Sequence, residues 1–287
     1  MDLILGLIAC LLAMLVGVFL AKRQTRTFNA TARANQLKVA QGELPDVHFS
    51  DYGDMRLLHL GSPWIQGSMR LSHPFEIHLE YVQRMMAWLL FVDLNQVRQL
   101  HAMQLGLGAA SLTKFCHQLG MQTTAIEINP KVIETCRLSF FLPHDNSKLQ
   151  VIQADAAKVV KDAVWHKKID VLQIDLYDHE AARPVLDDTA FYNDCRLMLT
   201  RDGCMVVNLY GHASNHEESL KKITTVFGQE AVWAFKPTKS GNTIVLAFQQ
   251  PRTVNLHTLR SNAKIIQTNW NLPATKWLKA LAPTADR

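Results

Sequence analysis

Paired cysteines, internal repeats and low-complexity tracts are all missing from this sequence. Its five cysteines are Cys10, Cys116, Cys136, Cys195 and Cys204, and no two of them form a Cys-x-x-Cys pair. An odd number of cysteines without paired spacing argues against a disulfide framework. We therefore expect free thiols that fill the core of a protein in a reducing compartment.

A large excess of charge is missing as well. The chain of 287 residues carries a formal net charge of +5, and 48% of its residues are hydrophobic. That content excludes disorder for most of the chain and is enough for one large core, or for one core and a small added domain. Part of the positive charge follows an apolar run directly, a pattern typical of a membrane flank, and no nucleic-acid partner is predicted.

The apolar run extends from Leu3 to Ala21 without a charged residue. It is close to the roughly 20 residues that a helix needs to cross a bilayer. Asp2 precedes the run, whereas a secretory signal would begin with positive charge. The basic residues that follow it are Lys22, Arg23, Arg26, Arg33 and Lys38. The positive-inside rule then predicts a single-pass membrane protein with its globular part in the cytoplasm.

The rest of the chain divides by composition into a small β unit and a larger α/β domain. We predict a membrane anchor with its basic flank at 1–24, a linker at 25–44 and a small β unit at 45–75. A nucleoside-binding catalytic domain is predicted at 76–250, and a helical tail at 251–287.

Alternating strand-like and helical segments between Gln99 and Phe248 predict an α/β fold with a mostly parallel sheet. A helix is expected before it, from Ile77 to Val92. An antiparallel hairpin is expected at its end, around Ser240-Gly241-Asn242. The predicted strands are Ala102 to Leu105, Thr123 to Ile126, Leu149 to Ile152, Val171 to Ile174, Cys204 to Asn208, Ala231 to Phe235 and Thr243 to Phe248.

Candidate nucleoside-binding residues stand at the ends of the first three parallel strands. Ligands of open α/β sheets bind outside the carboxyl ends of the strands. Gly106 and Gly108 end the first strand and let the backbone approach a ligand closely. Glu127 ends the second strand, where a carboxylate can accept hydrogen bonds from both ribose hydroxyls. Asp155 follows the third strand and could meet an adenine amino group.

Two further acids follow the fourth strand and are the candidate catalytic residues. Asp175 and Asp178 are expected to face the reacting end of the ligand. Helix caps or solvated loop residues are the alternative interpretation for Asp155, Asp175 and Asp178, and also for Glu127.

From Gln66 to Phe248 the sequence resembles the spermidine synthase (polyamine aminopropyltransferase) family. The family's Gly-rich turn is similar to Gly106 to Ser111, and its EID-P signature to Glu127-Ile128-Asn129-Pro130. Its GDA-type loop is similar to Ala154-Asp155-Ala156, and its D-x-x-D segment to Asp175 to Asp178.

The resemblance implies a Rossmann-like fold that binds decarboxylated S-adenosylmethionine, or its product methylthioadenosine, as a co-substrate rather than a prosthetic group. It also implies nucleoside contacts from Gln83 and Ala156. Aminopropyl transfer to a putrescine-like amine is the leading reaction, with Asp175 accepting the proton and Asp178 binding the acceptor's ammonium. S-adenosylmethionine-dependent methyl transfer and a non-catalytic nucleoside-binding role are the alternatives. No metal site is expected, and a homodimer is a further expectation.

The sequence departs from the family pattern at three places. Ala109 stands where the family has an aspartate that holds the donor's amino group, so donor binding should be weaker by about one to two powers of ten. The element Val82-Gln83-Arg84-Met85…Trp88 keeps only the family's glutamine and methionine. The segment Asn208-Leu209-Tyr210-Gly211 replaces a glutamine-containing one. The nucleoside half is therefore expected to be kept and the acceptor half altered.

Overall fold

The fold consists of two β-sheets and the helices that pack on them. A computed structural model describes residues 43–177, 185–210, 213–253 and 255–286. The strands are β1 (Val47–Tyr52), β2 (Met55–Leu60), β3 (Ile65–Arg70), β4 (His101–Leu105), β5 (Gln122–Glu127), β6 (Leu149–Gln153), β7 (Ile169–Ile174), β8 (Leu199–Tyr210), β9 (Val232–Phe235), β10 (Asn242–Phe248) and β11 (Leu281–Pro283). The α-helices are α1 (Glu80–Arg84), α2 (Ser111–Gln118), α3 (Pro130–Ser139), α4 (Ala156–Val159), α5 (Thr189–Met198), α6 (Ala213–Phe227), α7 (Leu256–Trp270) and α8 (Ala274–Trp277).

The large sheet has the strand order β11-β9-β10-β8-β7-β4-β5-β6, and its five strands from β8 to β6 are parallel. Successive residues of β4, Ala102 and Met103, belong to hydrophobic clusters on opposite faces of this sheet. Strands buried on both faces have continuous apolar sequences, which is why this region could be predicted. The predicted Rossmann-like α/β fold with a mostly parallel sheet is confirmed.

The other three strands of the large sheet pair in antiparallel orientation. Strand β10 pairs with both β8 and β9, and β11 extends the sheet beyond β9. The β9–β10 pair is the hairpin expected around Ser240-Gly241-Asn242. Its turn is closed by a hydrogen bond of 2.8 Å from the Thr238 amide to the Asn242 carbonyl. This turn approaches the carboxyl ends of the parallel strands and so becomes part of the site described below.

The helix predicted from Ile77 to Val92 is wrong in extent. Only Glu80–Arg84 is α-helical, and a 3-10 helix follows at Ala87–Phe91. The six consecutive residues from Met85 to Leu90 are all fully buried. An amphipathic helix lying on a sheet buries only one stripe of its surface. This segment instead runs through the hydrophobic core, so its sequence has no polar face that would extend the helix.

The small sheet, β1-β2-β3, packs directly on the turn that follows β4. A Cβ atom added to Gly67 of β3 would lie 2.7 Å from both the Cβ atom and the backbone nitrogen of Ala109. That distance is too short for two non-bonded heavy atoms, so residue 67 must be glycine for the strand to approach so closely. The N-terminal sheet thereby forms one wall above the Gly-rich turn.

A buried lysine joins this N-terminal region to the large sheet's helices. Lys114 of α2 is 1% exposed, and its Nζ atom donates hydrogen bonds of 2.7 Å to the carbonyl oxygens of Pro74 and Phe140. Pro74 follows β3, and Phe140 caps the end of α3. Burial lowers the pKa of Lys114 to about 8. One amino group therefore connects three parts of the fold.

The predicted single-pass membrane localisation is corrected. Across the four ranges that the structure describes, no helix has the length and apolar character needed to cross a membrane. The run on which the prediction rested, Leu3 to Ala21, and the basic residues after it lie outside the described residues.

The depressed pKa of Lys114 predicts a specific pH dependence of stability. Between pH 8 and the ordinary lysine pKa of 10.5, the amine is neutral in the folded chain and charged in the unfolded chain. The free energy of unfolding of the wild type should therefore rise over this range relative to Lys114→Met, by on the order of 3 kcal/mol. Urea denaturation between pH 7.5 and 10 measures the difference. Lys158→Met, at an exposed position of α4, is the matched control and should give a constant difference. A constant difference for Lys114→Met as well would contradict the assigned cause.

Candidate active site

A cavity of about 780 Å³ lies at the carboxyl ends of β4, β5, β6 and β7. Its floor is formed by the residues that end these strands. One wall is formed by the N-terminal sheet, including Leu58, and by its β2–β3 turn, including Trp64. The β9–β10 turn with the start of β10, including Thr238 and Asn242, forms another. The volume is within the range of ordinary small-molecule sites. The topology therefore brings ligand-binding residues from distant parts of the sequence to one place.

The Gly-rich turn after β4 lets the backbone pass close to the end of β7. Gly106 has a φ of +85°, and a Cβ atom there would collide with the carbonyl oxygen of Asp175. Only glycine satisfies both the dihedral angle and the space. Gly106 and Gly108 both line the cavity.

Glu127 lies at the end of β5 with its carboxylate against the Gly-rich turn. Its Oε2 atom accepts a hydrogen bond of 3.0 Å from the Leu107 amide, and Oε1 accepts one of 2.8 Å from the Asn129 amide. Burial raises the pKa of Glu127, although these backbone amides oppose the shift. Each carboxylate oxygen can accept a second hydrogen bond. The side chain is thus held rigidly while it still has acceptor sites for a ligand.

Asp155 has a structural role and also lies in the cavity. It is the N-cap of α4, where its Oδ1 atom accepts a hydrogen bond of 2.9 Å from the Ala157 amide. Its neighbours Ala154 and Ala156 line the cavity with it. The helix-cap interpretation is therefore correct for this residue, and it does not remove the carboxylate from the site.

Asp175 lies just after β7, between two hydrogen-bond donors. Tyr81 donates its hydroxyl to Oδ2 at 3.3 Å, and the Nδ2 atom of Asn208 donates to Oδ1 at 2.9 Å. Burial raises the pKa of Asp175, and the two donors oppose the shift because they stabilise the charged form. An oriented carboxylate with a raised pKa is suited to accepting a proton from a ligand.

Tyr81 is the functional candidate that the sequence analysis missed. The segment Val82-Gln83-Arg84-Met85 resembles a Tyr-Gln-Glu-Met element of the family, and Val82, at the position of its tyrosine, is buried in the core. The residue before it, Tyr81, lines the cavity and reaches Asp175. The sequence does contain a tyrosine one position before the expected one. To identify it as a site residue, one would have to know which side of α1 faces the cavity.

One of the sequence-based candidates, Gln83, does not line the cavity. Its Nε2 atom donates to the Ile77 carbonyl at 2.8 Å. Asp178 lies outside the described residues. Their proposed contacts with nucleoside and acceptor stay predictions.

The charged side chains in the described part of the cavity lining are all acidic. The part of its lining that the structure describes contains no lysine, arginine or histidine, although the protein has a net charge of +5. One of the acids, Glu80, is paired with Arg84 at 2.6 Å, and Arg84 itself is not part of the lining. The cavity therefore favours a cationic ligand. Its acidic residues are Glu43, Glu80, Glu127, Asp155 and Asp175.

Comparison with known proteins identifies the family. Residues 92–258 match the spermine/spermidine synthase domain. A polyamine aminopropyltransferase of Neisseria meningitidis serogroup A is 34% identical over 250 residues, which cover 86% of this chain and 92% of that protein. This chain belongs to the spermine/spermidine synthase family. A polyamine aminopropyltransferase of Chromobacterium violaceum is 29% identical over 252 residues, covering 87% of this chain and 94% of that protein.

Solved structures support the family's fold. A probable spermidine synthase from Corynebacterium glutamicum superposes with a TM-score of 0.64 at 17% identity, covering 79% of this chain and 85% of that one. A spermidine synthase in complex with the transition state analogue AdoDATO gives a TM-score of 0.53 at 16% identity, covering 80% and 79%. At these sequence identities the superpositions show a shared fold and nothing about function.

Within this family, the alanine at position 109 now has a structural explanation. Ala109 is 4% exposed, and it is packed in a hydrophobic cluster with Leu58 and Met69 rather than in the cavity lining. Gly67 of β3 lies directly against it, because a Cβ atom at residue 67 would come within 2.7 Å of Ala109. A small apolar residue at position 109 therefore fits this buried contact with the N-terminal sheet.

The position of Glu127 predicts its effect on nucleoside binding. Glu127→Gln replaces one carboxylate oxygen by an NH2 group, which cannot accept hydrogen bonds from the ribose and also faces a backbone amide. Hydrogen bonds to a charged group contribute about 1.5–3 kcal/mol, so methylthioadenosine should bind about 10- to 100-fold more weakly. Isothermal titration calorimetry measures this change. Glu134→Gln, at an exposed position of α3, is the control and should bind as the wild type does. Equal affinities of the wild type and both variants for methylthioadenosine would contradict the assignment of Glu127 to the nucleoside site.

Proposed function

We propose that this protein transfers an aminopropyl group from decarboxylated S-adenosylmethionine to a putrescine-like amine. Membership of the family makes the chain an aminopropyltransferase-type enzyme. The observation that carries the reaction is the position of Asp175, which is oriented by Tyr81 and Asn208 on the floor of an acidic cavity. Both substrates are cationic, and the described lining supplies only negative charge to them.

The proposed reaction is a displacement at carbon. The lone pair of a neutral acceptor amine attacks the carbon next to the donor's sulfonium, and a carbon–nitrogen bond forms. The carbon–sulfur bond breaks, its electron pair returns to sulfur, and methylthioadenosine leaves as a neutral thioether. The amine loses one proton, and Asp175 accepts it. The carboxylate also offsets the positive charge that develops on the attacking nitrogen.

The nucleoside of the donor is assigned to the other end of the cavity. We infer that Glu127 accepts hydrogen bonds from the ribose hydroxyls and that Asp155 accepts one from the adenine amino group. Ala156 and the Gly-rich turn lie against the same ligand. Asp178 remains our candidate for the acceptor's second ammonium. A homodimer also stays a prediction, which light scattering after size exclusion tests.

Charge favours aminopropyl transfer over methyl transfer. S-adenosylmethionine carries a carboxylate that its decarboxylated form lacks. A carboxylate placed among Glu43, Glu80 and Asp175 would meet like charges, and no cationic side chain of the described lining would pair with it. The decarboxylated donor has no such conflict.

A product assay tests the proposed function directly. The purified full-length protein is incubated with decarboxylated S-adenosylmethionine or with S-adenosylmethionine, each with a series of amines, and the products are followed by mass spectrometry. We expect methylthioadenosine to form only when both the decarboxylated donor and an amine are present. S-adenosylhomocysteine would indicate methyl transfer instead. No product, with methylthioadenosine still bound, would indicate a non-catalytic protein.

Replacement of the proposed base should separate turnover from binding. Asp175→Asn keeps the shape of the side chain but cannot accept the proton, so kcat should fall by about 10²- to 10⁴-fold. Methylthioadenosine should bind about as well as to the wild type, because the contacts to the nucleoside are unchanged. Asp162→Asn, at a helix cap away from the cavity, controls for loss of a carboxylate. Full turnover by Asp175→Asn would rule out its role as base.

Removal of the Tyr81 hydroxyl should change the pH dependence of the reaction. The hydrogen bond from Tyr81 lowers the pKa of Asp175, so Tyr81→Phe should raise that pKa further. Because the base must be deprotonated, activity on the acidic side should then be lost at a higher pH. The pH profile of kcat/KM measures the shift. Tyr52→Phe, on the exposed edge of β1, should leave the profile in place. An unchanged profile for Tyr81→Phe would contradict the proposed coupling.

A further inference from the structure

A line of buried polar groups leads from Asp175 away from the cavity floor. Asn208 donates from Nδ2 to the Oδ1 atom of Asp175 at 2.9 Å. Asn242 donates from its own Nδ2 atom to the Oδ1 atom of Asn208 at 3.1 Å. Thr238 donates its hydroxyl to the Oδ1 atom of Asn242 at 3.5 Å. The two asparagines are only 4% and 7% exposed.

The charge of Asp175 determines the direction of every hydrogen bond in this line. An ionised carboxylate only accepts hydrogen bonds, so Asn208 must turn its NH2 group toward it. The carbonyl oxygen of Asn208 then points the other way and needs a donor. The NH2 group of Asn242 is that donor, which leaves the oxygen of Asn242 facing the hydroxyl of Thr238. An asparagine that turned over would place two acceptors or two donors against each other.

The strands hold the two asparagines in this relation. Asn208 lies opposite Ile244 in the β8–β10 pair, and Asn242 lies opposite Tyr210. The two asparagines are therefore diagonal neighbours on the same face of the sheet. The Asn242 amide also donates to the hydroxyl oxygen of Thr238 at 3.0 Å. The β9–β10 turn thus fixes Asn242 at both its backbone and its side chain.

We propose that Asn242 is a positioning residue, which holds the Asn208 amide so that its NH2 group faces the Asp175 carboxylate. The proposal rests on the aminopropyl-transfer function in which Asp175 accepts a proton. Asn242 acts through Asn208 and needs no contact with the reacting atoms. The β9–β10 turn, which is distant in sequence from β7, thereby controls the charge state of the base.

The other titratable groups near Asp175 do not orient the side-chain amide of Asn208. Three tyrosine hydroxyls lie around Asp175: those of Tyr81 on α1, of Tyr177 two residues further on and of Tyr210 at the end of β8. The carboxylates of Glu80 and Glu127 line the same cavity. Burial raises the pKa of Tyr81 and of Tyr177, so these hydroxyls stay neutral where an aspartate titrates. The Tyr177 hydroxyl donates to the Asn208 backbone carbonyl at 2.7 Å, so it does not orient the side-chain amide of Asn208.

Two substitutions of Asn242 test the proposal through the pH profile. In Asn242→Ala the Asn208 amide is free to turn its oxygen toward Asp175, which favours the protonated acid. We expect kcat/KM near neutral pH to fall about two- to tenfold and the acidic limb of the profile to move to higher pH. In Asn242→Asp, which has nearly the same shape, the new carboxylate attracts the NH2 group of Asn208 and reverses the amide. The loss and the shift should both be larger than in Asn242→Ala.

Thr243→Val is the matched control. Thr243 is the next residue of β10, it is 6% exposed, and its side chain points to the opposite face of the sheet, where it contacts His216 at 3.1 Å. The substitution removes a buried hydroxyl from the same strand, and the acidic limb should stay in place. An acidic limb that is unmoved by Asn242→Ala, or moved equally by Thr243→Val, would overturn the proposal. Thermal unfolding of each variant checks that the fold is retained, and Asn242→Ala carries the test if Asn242→Asp does not fold.

A titration without turnover separates this proposal from the proposed function. The carboxyl carbon of Asp175, labelled with ¹³C and assigned by its loss in Asp175→Asn, reports the pKa of that group directly in the NMR spectrum. Asn242→Ala should raise this pKa relative to the wild type. If the wild type forms no methylthioadenosine but the shift is found, the proposed function fails and the positioning role stands. If the wild type is active and the pKa is unchanged, the positioning role fails alone.

Discussion

The contact between the Gly-rich turn and the end of β7 is the constraint on which the site depends. Because residue 106 has no side chain, the turn after β4 passes directly over the Asp175 carbonyl. The Gly-rich turn and the proposed base are then neighbours. Glu127 accepts a hydrogen bond from the Leu107 amide of the same turn, so the proposed nucleoside contacts and the proposed base share one frame.

The cavity and the whole protein have opposite electrostatic character. The net charge of +5 describes the surface as an average and predicts nothing about a concave site. Inside the cavity, burial raises the pKa of both Glu127 and Asp175, because a carboxylate out of water is disfavoured in its charged form. A bound cation would stabilise the charged form of both groups. The cavity therefore favours cationic ligands in spite of the buried position of its acids.

The sheet and its acidic edge could be predicted because their signals are local. Apolar strands and the residues that follow them, such as Glu127 and Asp175, lie close together in the sequence, and parallel strands bring their ends to one edge. The contribution of Tyr81 could not be predicted, because it depends on which side of a five-residue helix faces the cavity. The wrong helix extent had the same origin, since the segment around Trp88 is buried on all sides. The pairing of Asn208 with Asn242 depends on strand register, which the hydrophobic pattern alone does not give.

The contact between Gly67 and Ala109 has a consequence for the shape of the cavity. A side chain at residue 67 would need the space that Ala109 occupies, so position 67 accepts nothing larger than glycine while the turn keeps its place. A larger residue there would move β3 away from the turn, and that movement would open the wall of the cavity. The cavity thus depends for its shape on a residue that does not itself line it.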